Sequence, residues 1–365
     1  MKPSDVDPMS FDEALKRIAG RAQRYEISSE WPVMDLVDLH AAGAMRWALP
    51  GMNGGDHLSG LELHLRYEKV ATASVATALI LTQRDAAVGL IEAADNTSRR
   101  TSVLNQLVTN EIWATVGIAQ LTTSRQGGTP AVTAQRVDGG YLVNGTIPWC
   151  TGAAESGFIV AGATLADAQQ ILVLLKTTER GVRVDEPMRM VALSNTQTSS
   201  IQLNEVMIEN STVLRGPANG VLGGRRNGLT LGQTFIATGL TQAALNLIAD
   251  HNSDRARAAH GRFCEQLAVL RAEVADLCQP GREADAGAAN ARLRGACNDL
   301  ALRATHAAMA LYKGAALLAD HPAQRLAREA MFLLVWSCPN PVIDCTVDLL
   351  SERVEKPEIR NPKSE

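Results

Sequence analysis

Apolar residues in the first hundred positions recur at helical spacing. Phe11, Ala14, Leu15, Ile18 and Ala19 share one face, with Ser10 placed as an N-cap ahead of Glu13. Val33, Leu36, Val37, Leu39 and Ala42 define a second helix. Beyond the Pro50–Gly55 loop, Leu61–Leu65, Val70–Leu81 and Val88–Ala94 continue the pattern. From about residue 114 the period changes. Val132, Ala134 and Arg136 alternate, Asp138-Gly139-Gly140 supplies turn residues, and Tyr141 and Val143 resume the alternation, which predicts a β-hairpin. Phe158–Ala161 and Ile171–Leu175 read as short strands, and Ile201, Leu203, Val206 and Ile208 as a further strand pair. Gly216-Pro217-Ala218-Asn219-Gly220 then punctuates the chain. Helical patterns follow over 229–256, 262–278, 289–319 and 322–336, separated or ended by Pro280-Gly281 and Cys338-Pro339-Asn340-Pro341. The chain therefore reads as helices, then a compact β domain, then long helices.

Composition narrows the class. At 365 residues the chain exceeds a single core, and 46% hydrophobic with 20% charged residues is a folded composition, not a disordered one. The net charge of −4, with no block of one sign, argues against nucleic-acid binding. No stretch approaches the ~18 apolar residues of a membrane helix. The N-terminus lacks the apolar core of a signal peptide, and six cysteines form no CxxC, so the expectation is reduced thiols in the cytoplasm.

Common site motifs are missing: there is no GxGxxG after a strand, no GxxxxGK[ST], no HExxH and no GxSxG. The histidines do not sit at metal-ligand spacing. His57 and His64 lie seven apart near a glycine-rich loop, without metal-ligand spacing, and His306 reads as a core or half-exposed residue with one hydrogen bond.

Several strings carry a family resemblance. Leu121-Thr122-Thr123-Ser124-Arg125-Gln126-Gly127-Gly128 looks like a TEPxxGS loop. Tyr141-Leu142-Val143-Asn144-Gly145-Thr146-Ile147-Pro148-Trp149-Cys150-Thr151 is similar to Y-x-[IL]-N-G-x-K-x-W-I-T. Gly239–Leu245 resembles a GLAQxAL helix, and Gly314 to Pro322 with Arg325, Arg328 and Glu329 resembles a GG…P…R..RD run. In order and spacing these resemble the acyl-CoA dehydrogenase family, over about residues 25–350. The resemblance implies a mainly α fold with a central β domain: an N-terminal helical domain over 1–113, a middle β-barrel over 114–222 and a C-terminal four-helix bundle over 223–365.

It also implies FAD, an acyl thioester substrate, an electron-transfer flavoprotein as redox partner, and a homodimer or homotetramer. By position, Leu121 and Thr122 would contact the pyrimidine side of the flavin, the Thr151 hydroxyl would reach N5 and Trp149 would pack on the ring. Arg257 and Gly314 would meet the rest of the cofactor, and Gly128 would face substrate. On the residues alone, Trp149 and Thr151 read equally well as hairpin core and turn.

The departures fall on chemistry. The family's base, a glutamate in a YEGT string, is replaced by Ser337, and the alternative position before GLAQ holds Leu229, followed by Thr230 in place of arginine. An unassisted serine cannot take an α-proton. The R-x-x-F-G motif appears as Arg257-Ala258-Ala259-His260-Gly261, with Arg255 competing for the pyrophosphate role. QxxGG becomes Ala310–Gly314, where Lys313 reads equally as a phosphate partner or a solvated lysine, and Pro339 and Pro341 lack the N–H donors of the usual residues. Cys338 reads as a structural thiol and Asp344 as a turn or cap carboxylate. Three functions remain open: a CH–CH oxidoreductase of acyl-CoA dehydrogenase type, a flavin monooxygenase on the same fold, and a non-catalytic homologue that serves oligomer or partner binding.

Overall fold

The computed structural model describes residues 7–56, 58, 60–94, 97–122, 128–222, 232–279 and 286–351. The first helix, α1 (Phe11–Ser28), begins where Ser10 Oγ accepts the Glu13 N–H at 3.2 Å. Glu13 does not close a capping box, because its carboxylate pairs with Arg17 one turn on. Helix α2 (Val33–Ala41) follows. The run from Val70 to Leu81 is two helices, not one. Helix α3 (Gly60–Ala73) stops at Ser74, whose extended backbone and side chain cap α4 (Val75–Glu92) through the Thr77 N–H. Helix α5 (Thr97–Val108) leads into strand β1 (Ala114–Gly117), and the short α6 (Ala119–Thr122) closes that segment.

Strands β2 (Val132–Val137) and β3 (Gly140–Cys150) form the hairpin around Asp138 and Gly139, with Gly139 at φ +78° as such a tight turn requires. Strands β4 (Phe158–Leu165), β5 (Gln170–Lys176), β6 (Val182–Val184), β7 (Ser199–Glu209) and β8 (Val213–Ala218) complete one mixed sheet in the order β6-β7-β3-β2-β4-β5-β8, with β1 parallel to β4. The expected strand pair over 201–208 is the single strand β7. Alternate strand residues such as Ile159, Ala161, Ile171, Val173, Ile201 and Leu203 form a core made almost wholly of strand side chains. A sheet face covered only by other parts of the same sheet must curl on itself, which gives the barrel-like body, although β6 and β8 do not pair among the described residues. The opposite face, through Val160, Leu172 and Leu174, packs on Val88, Ile91, Leu104 and Leu107 of α4 and α5.

Helices α7 (Gly232–Ala249), α8 (Asp254–Leu277), α9 (Ala286–Tyr312) and α10 (Pro322–Phe332) form the C-terminal bundle. The pattern over 229–256 breaks at Ser253, which caps α8 through the Ala256 N–H. A further helix, α11 (Asn340–Ser351), was not foreseen. Pro341 opens it, since proline in the first helical turn loses no bond, and Asp344 lies exposed on its surface and not in a cap. The helices at the two ends of the chain share one core: Leu79, Leu81, Phe235, Leu240, Leu293 and Leu326 belong to a single cluster, joined by Ala192 and Leu193 from the β region. Gly239 permits the closest approach, because a Cβ there would stand 2.5 Å from the Glu68 carbonyl oxygen and 2.7 Å from the Ala71 Cβ. Gly239→Ala is expected to cost about 1–3 kcal/mol by forcing α3 and α7 apart. An unchanged urea midpoint would show that the two helices can slide without loss.

Candidate functional site

The site begins with a proline. Ile147 pairs with Ile201 and Cys150 with Ser199, so Pro148 and Trp149 together oppose Ser200 alone. Pro148 cannot donate to the ladder, and the resulting bulge re-aims the next side chain. Trp149 is turned out of the barrel and is 50% exposed, whereas Cys150 behind it is buried. The hairpin-core reading of Trp149 does not hold: its indole is half exposed.

Thr151 follows in a turn whose geometry is fixed from several sides. Gly152 adopts φ +61°, and a Cβ there would stand 2.6 Å from the Trp31 ring, so the α1–α2 connection rests directly on this glycine. The Gly152 N–H donates to the Thr196 carbonyl at 2.9 Å, and Ser156 Oγ donates back to the Gly152 carbonyl at 2.8 Å. The Thr151 hydroxyl lies 3.4 Å from Thr198 Oγ1, which lies 2.8 Å from Thr196 Oγ1, which donates to the Leu193 carbonyl at 2.8 Å. Leu193 (φ 60°) and Gln197 (φ 48°) flank this turn in the left-handed region. Gln197 Nε2 donates to the Ser29 carbonyl and ties the turn to the end of α1. Sequence reasoning passed over this turn; its signal was the polar run Ser194-Asn195-Thr196-Gln197-Thr198-Ser199-Ser200 between two strands.

The remaining expected contacts are dispersed. Leu121 lies with its side chain on Gly162 of β4, where a Cβ would meet it at 2.1 Å, and its N–H bonds the Ile118 carbonyl at 2.9 Å. Its side chain therefore packs on the sheet and is not free to face a ring. Thr122 ends α6, and Gly128 is exposed ahead of β2. Leu229, Thr230 and the stretch from Thr123 to Gly127 lie outside the described residues. Arg257 is exposed on α8 and pairs with Asp254 and Asn252. Gly314 and Lys313 sit exposed at the end of α9, Lys313 at φ 54°. His306 makes a single bond, to the Leu302 carbonyl at 2.7 Å, as expected.

Ser337 is exposed at φ 45°, and among the described residues no carboxylate bonds to it. Its carbonyl and that of Trp336 accept from Arg294, which is only 4% exposed and whose Nη2 also stands 3.3 Å from Cys338 Sγ. Arg294 thus holds the turn after α10 by its carbonyls. Burial pushes the Cys338 thiol up despite the guanidinium beside it, so Cys338 is a structural thiol.

Buried carboxyls lie elsewhere. Glu26 of α1 accepts from Arg328 at 3.0 Å, and Glu329 accepts from Arg325 at 2.9 Å, both on α10. Burial, reinforced by Glu329, pushes Glu26 up to about 7, and burial also raises Glu329. Arg328 donates in addition to the Val191 carbonyl, so this cluster clamps α1 and α10 to the segment that leads into the threonine turn. Among the described residues no group of three or more potential ligands could hold a metal, and no described helix is long and apolar enough to cross a membrane.

No family model matches the chain. A relative from Bacillus subtilis, a putative acyl-CoA dehydrogenase, is 28% identical over 246 residues, a match covering 64% of this chain and 63% of that protein's length. An acyl-CoA dehydrogenase of the same organism is 21% identical across 92% of this chain and 93% of its own. Among solved structures, butyryl-CoA dehydrogenase from Megasphaera elsdenii superposes with a TM-score of 0.77 at 17% identity, covering 93% of this chain and 95% of that one. The chain is similar in sequence to acyl-CoA dehydrogenases and has the fold of their solved members. The chain also shares its fold with dibenzothiophene monooxygenase from Paenibacillus sp. A11-2, at a TM-score of 0.78 and 16% identity over 92% of this chain and 94% of the other. A structure described as electron transferring flavoprotein of Acidaminococcus fermentans superposes with a TM-score of 0.81 at 16% identity, over 94% and 97% of the two chains.

Proposed function

We propose that this protein is a flavin-dependent oxidoreductase of acyl-CoA dehydrogenase type that takes FAD against Trp149 and Thr151 and acts on an acyl thioester such as an acyl-CoA. One observation carries the reading: a bulge turns a large aromatic side chain outward two residues before a hydroxyl whose one bond among the described residues is long, in a turn held by its left-handed neighbours. A hydroxyl so placed has bonding capacity left for a ligand, which is the fit a flavin edge requires. A bound flavin would supply the hydride acceptor. For this chain's part, Thr151 would hold a hydrogen bond at N5 and Trp149 would cover the ring and exclude water. Leu121 would contribute only through its backbone, with Thr122 beside it. Gly128 lies on the side proposed for substrate. Arg257 and Gly314, both exposed, are proposed to meet cofactor in a homodimer or homotetramer. Electrons would leave to an electron-transfer flavoprotein, and the enzyme would work in the cytoplasm with reduced thiols. No described residue is assigned as base.

That gap favours a second reading, a flavin monooxygenase, for which no α-proton need be removed; Ser337 at the usual base position, bonded by no carboxylate among the described residues, is the observation behind it.

The first experiment is the visible spectrum of the purified protein with and without FAD, before and after dialysis. Retained oxidised-flavin bands support both enzyme readings, and anaerobic bleaching by an acyl-CoA selects the dehydrogenase. Oxygen consumption with supplied reduced flavin, yielding an oxygenated product and not only peroxide, selects the monooxygenase. A colourless protein that takes up neither FAD nor FMN leaves the non-catalytic reading. Thr151→Val is expected to shift the bound-flavin spectrum or weaken FAD about tenfold, the effect of one lost hydrogen bond at the upper end of the usual range.

A further inference from the structure

The hydroxyls behind Thr151 have a direction. A carbonyl oxygen cannot donate, so the single hydrogen of Thr196 Oγ1 is committed to the Leu193 carbonyl, 2.8 Å away. Thr196 Oγ1 must then accept from Thr198 Oγ1 across 2.8 Å, which commits the single hydrogen of Thr198. Toward Thr151, Thr198 can only accept. The 3.4 Å separation of these two hydroxyls is long for an O–H···O bond, so the Thr151 hydrogen is weakly held. Thr196 and Thr198 themselves cannot readily reorganise. They are 0% and 7% exposed, and the turn that carries them is pinned by the Gly152 N–H, by Gln197 on Ser29 and by two left-handed residues.

From this we propose that Thr196 and Thr198 are positioning residues that let the Thr151 hydroxyl reverse with the redox state of the flavin beside it. With its hydrogen turned outward, Thr151 donates to an acceptor. With its hydrogen on Thr198, it offers lone pairs to a donor. Oxidised flavin N5 is an acceptor and reduced flavin carries N–H there, so one hydroxyl serves both states by rotation, exchanging one hydrogen bond for another and leaving its covalent bonds unchanged. The inference rests on the flavin reading above. It adds that the acceptor behind Thr151 is what favours the reduced form.

The test is a comparison of the wild type with Thr198→Val, Thr196→Val and Thr151→Ser. FAD affinity is read by flavin fluorescence and the two-electron midpoint by dye equilibration. Thr198→Val removes the inward acceptor and is expected to weaken reduced FAD about tenfold more than oxidised FAD, a midpoint about 30 mV lower. Thr196→Val frees the Thr198 hydrogen to point at Thr151 and should move the midpoint the same way, while Thr151→Ser should keep the wild-type value. Should Thr198→Val fail to fold, Thr198→Ser and Thr198→Ala replace it, with only the serine expected to hold the wild-type midpoint. A wild-type protein that binds FAD while the Thr198 variants leave its midpoint unmoved overturns the relay and leaves the flavin reading standing. A wild-type protein that takes up no flavin overturns both.

Discussion

Arg84→Met is expected to lower the free energy of unfolding by about 3–5 kcal/mol, the usual result of breaking a buried ion pair from one side. Arg84 is 0% exposed, bonds Asp85 at 2.7 Å through Nη1, and donates through Nη2 to the carbonyls of Met45 and Leu107, each at 2.9 Å. Tyr67 donates to the other Asp85 oxygen at 2.7 Å. One guanidinium therefore satisfies two backbone carbonyls and a buried carboxylate. Removing it leaves Asp85 charged and uncompensated, and orphans two carbonyls. Burial already raises the Asp85 carboxyl, offset by Arg84 and Tyr67. Without Arg84 that carboxyl should take up a proton more readily. The variant's deficit should then shrink toward acidic pH, and Asp85→Asn added to Arg84→Met should recover part of it. Urea titrations at pH 5 and pH 8 measure all of this. A loss below about 1 kcal/mol would mean that water or a rearranged side chain replaces Arg84.

The second large effect has the opposite sign. Glu26 titrates in the folded protein at about 7, above its ordinary 4.5, because it is buried and faces Glu329. Between those values the folded chain binds more protons than the unfolded one, so stability falls as pH rises from about 4.5 through 7. At about 1.4 kcal/mol per pH unit the loss approaches ~3 kcal/mol by pH 8. Arg325 and Arg328, which also donate to Gln23 and Gln324, bond the two carboxyls, and Glu329, raised by its own burial, adds a loss of the same sign. Glu26→Gln keeps an oxygen for Arg328 and removes the titration. It is therefore expected to melt higher than the wild type at pH 8, with the gain vanishing near pH 4.5. A variant less stable at pH 8 would show that Glu26 is ionised and net favourable in its pair with Arg328.

These two clusters also mark how far a sequence can be read. Arg84, Asp85 and Tyr67 carried no signal, because a charged residue inside an apolar helix pattern is indistinguishable from one on its solvent face until the packing around it is known. Glu26 and Glu329 lie 303 positions apart in a chain whose two ends share one core. The helices, the Asp138-Gly139 hairpin and the order of the three zones were legible because each follows from local spacing and turn chemistry. The shortfalls at Ser74, at Ser253 and in α11 came where a capping serine or a proline in a first turn was read as part of a run or as its end.

At the candidate site the division is similar. Trp149 and Thr151 stood out by their place in a recognisable string, and the missing glutamates at Ser337 and Leu229 by their absence from one. The string could not show that Pro148 forces a bulge that turns Trp149 outward, because pairing register belongs to two strands and not to one. Nor could it show that Leu121 is taken by Gly162, or that Arg294 fixes the Ser337 turn from α9. Local sequence determined which segments become helix or strand, and which residues are conspicuous, through steric and hydrogen-bonding rules that act over a few positions. The tertiary structure decided the direction of the hydroxyls behind Thr151 and the proton affinity of Glu26. Both depend on a carbonyl, a charge or a loss of water contributed by a segment that the chain reaches only by folding.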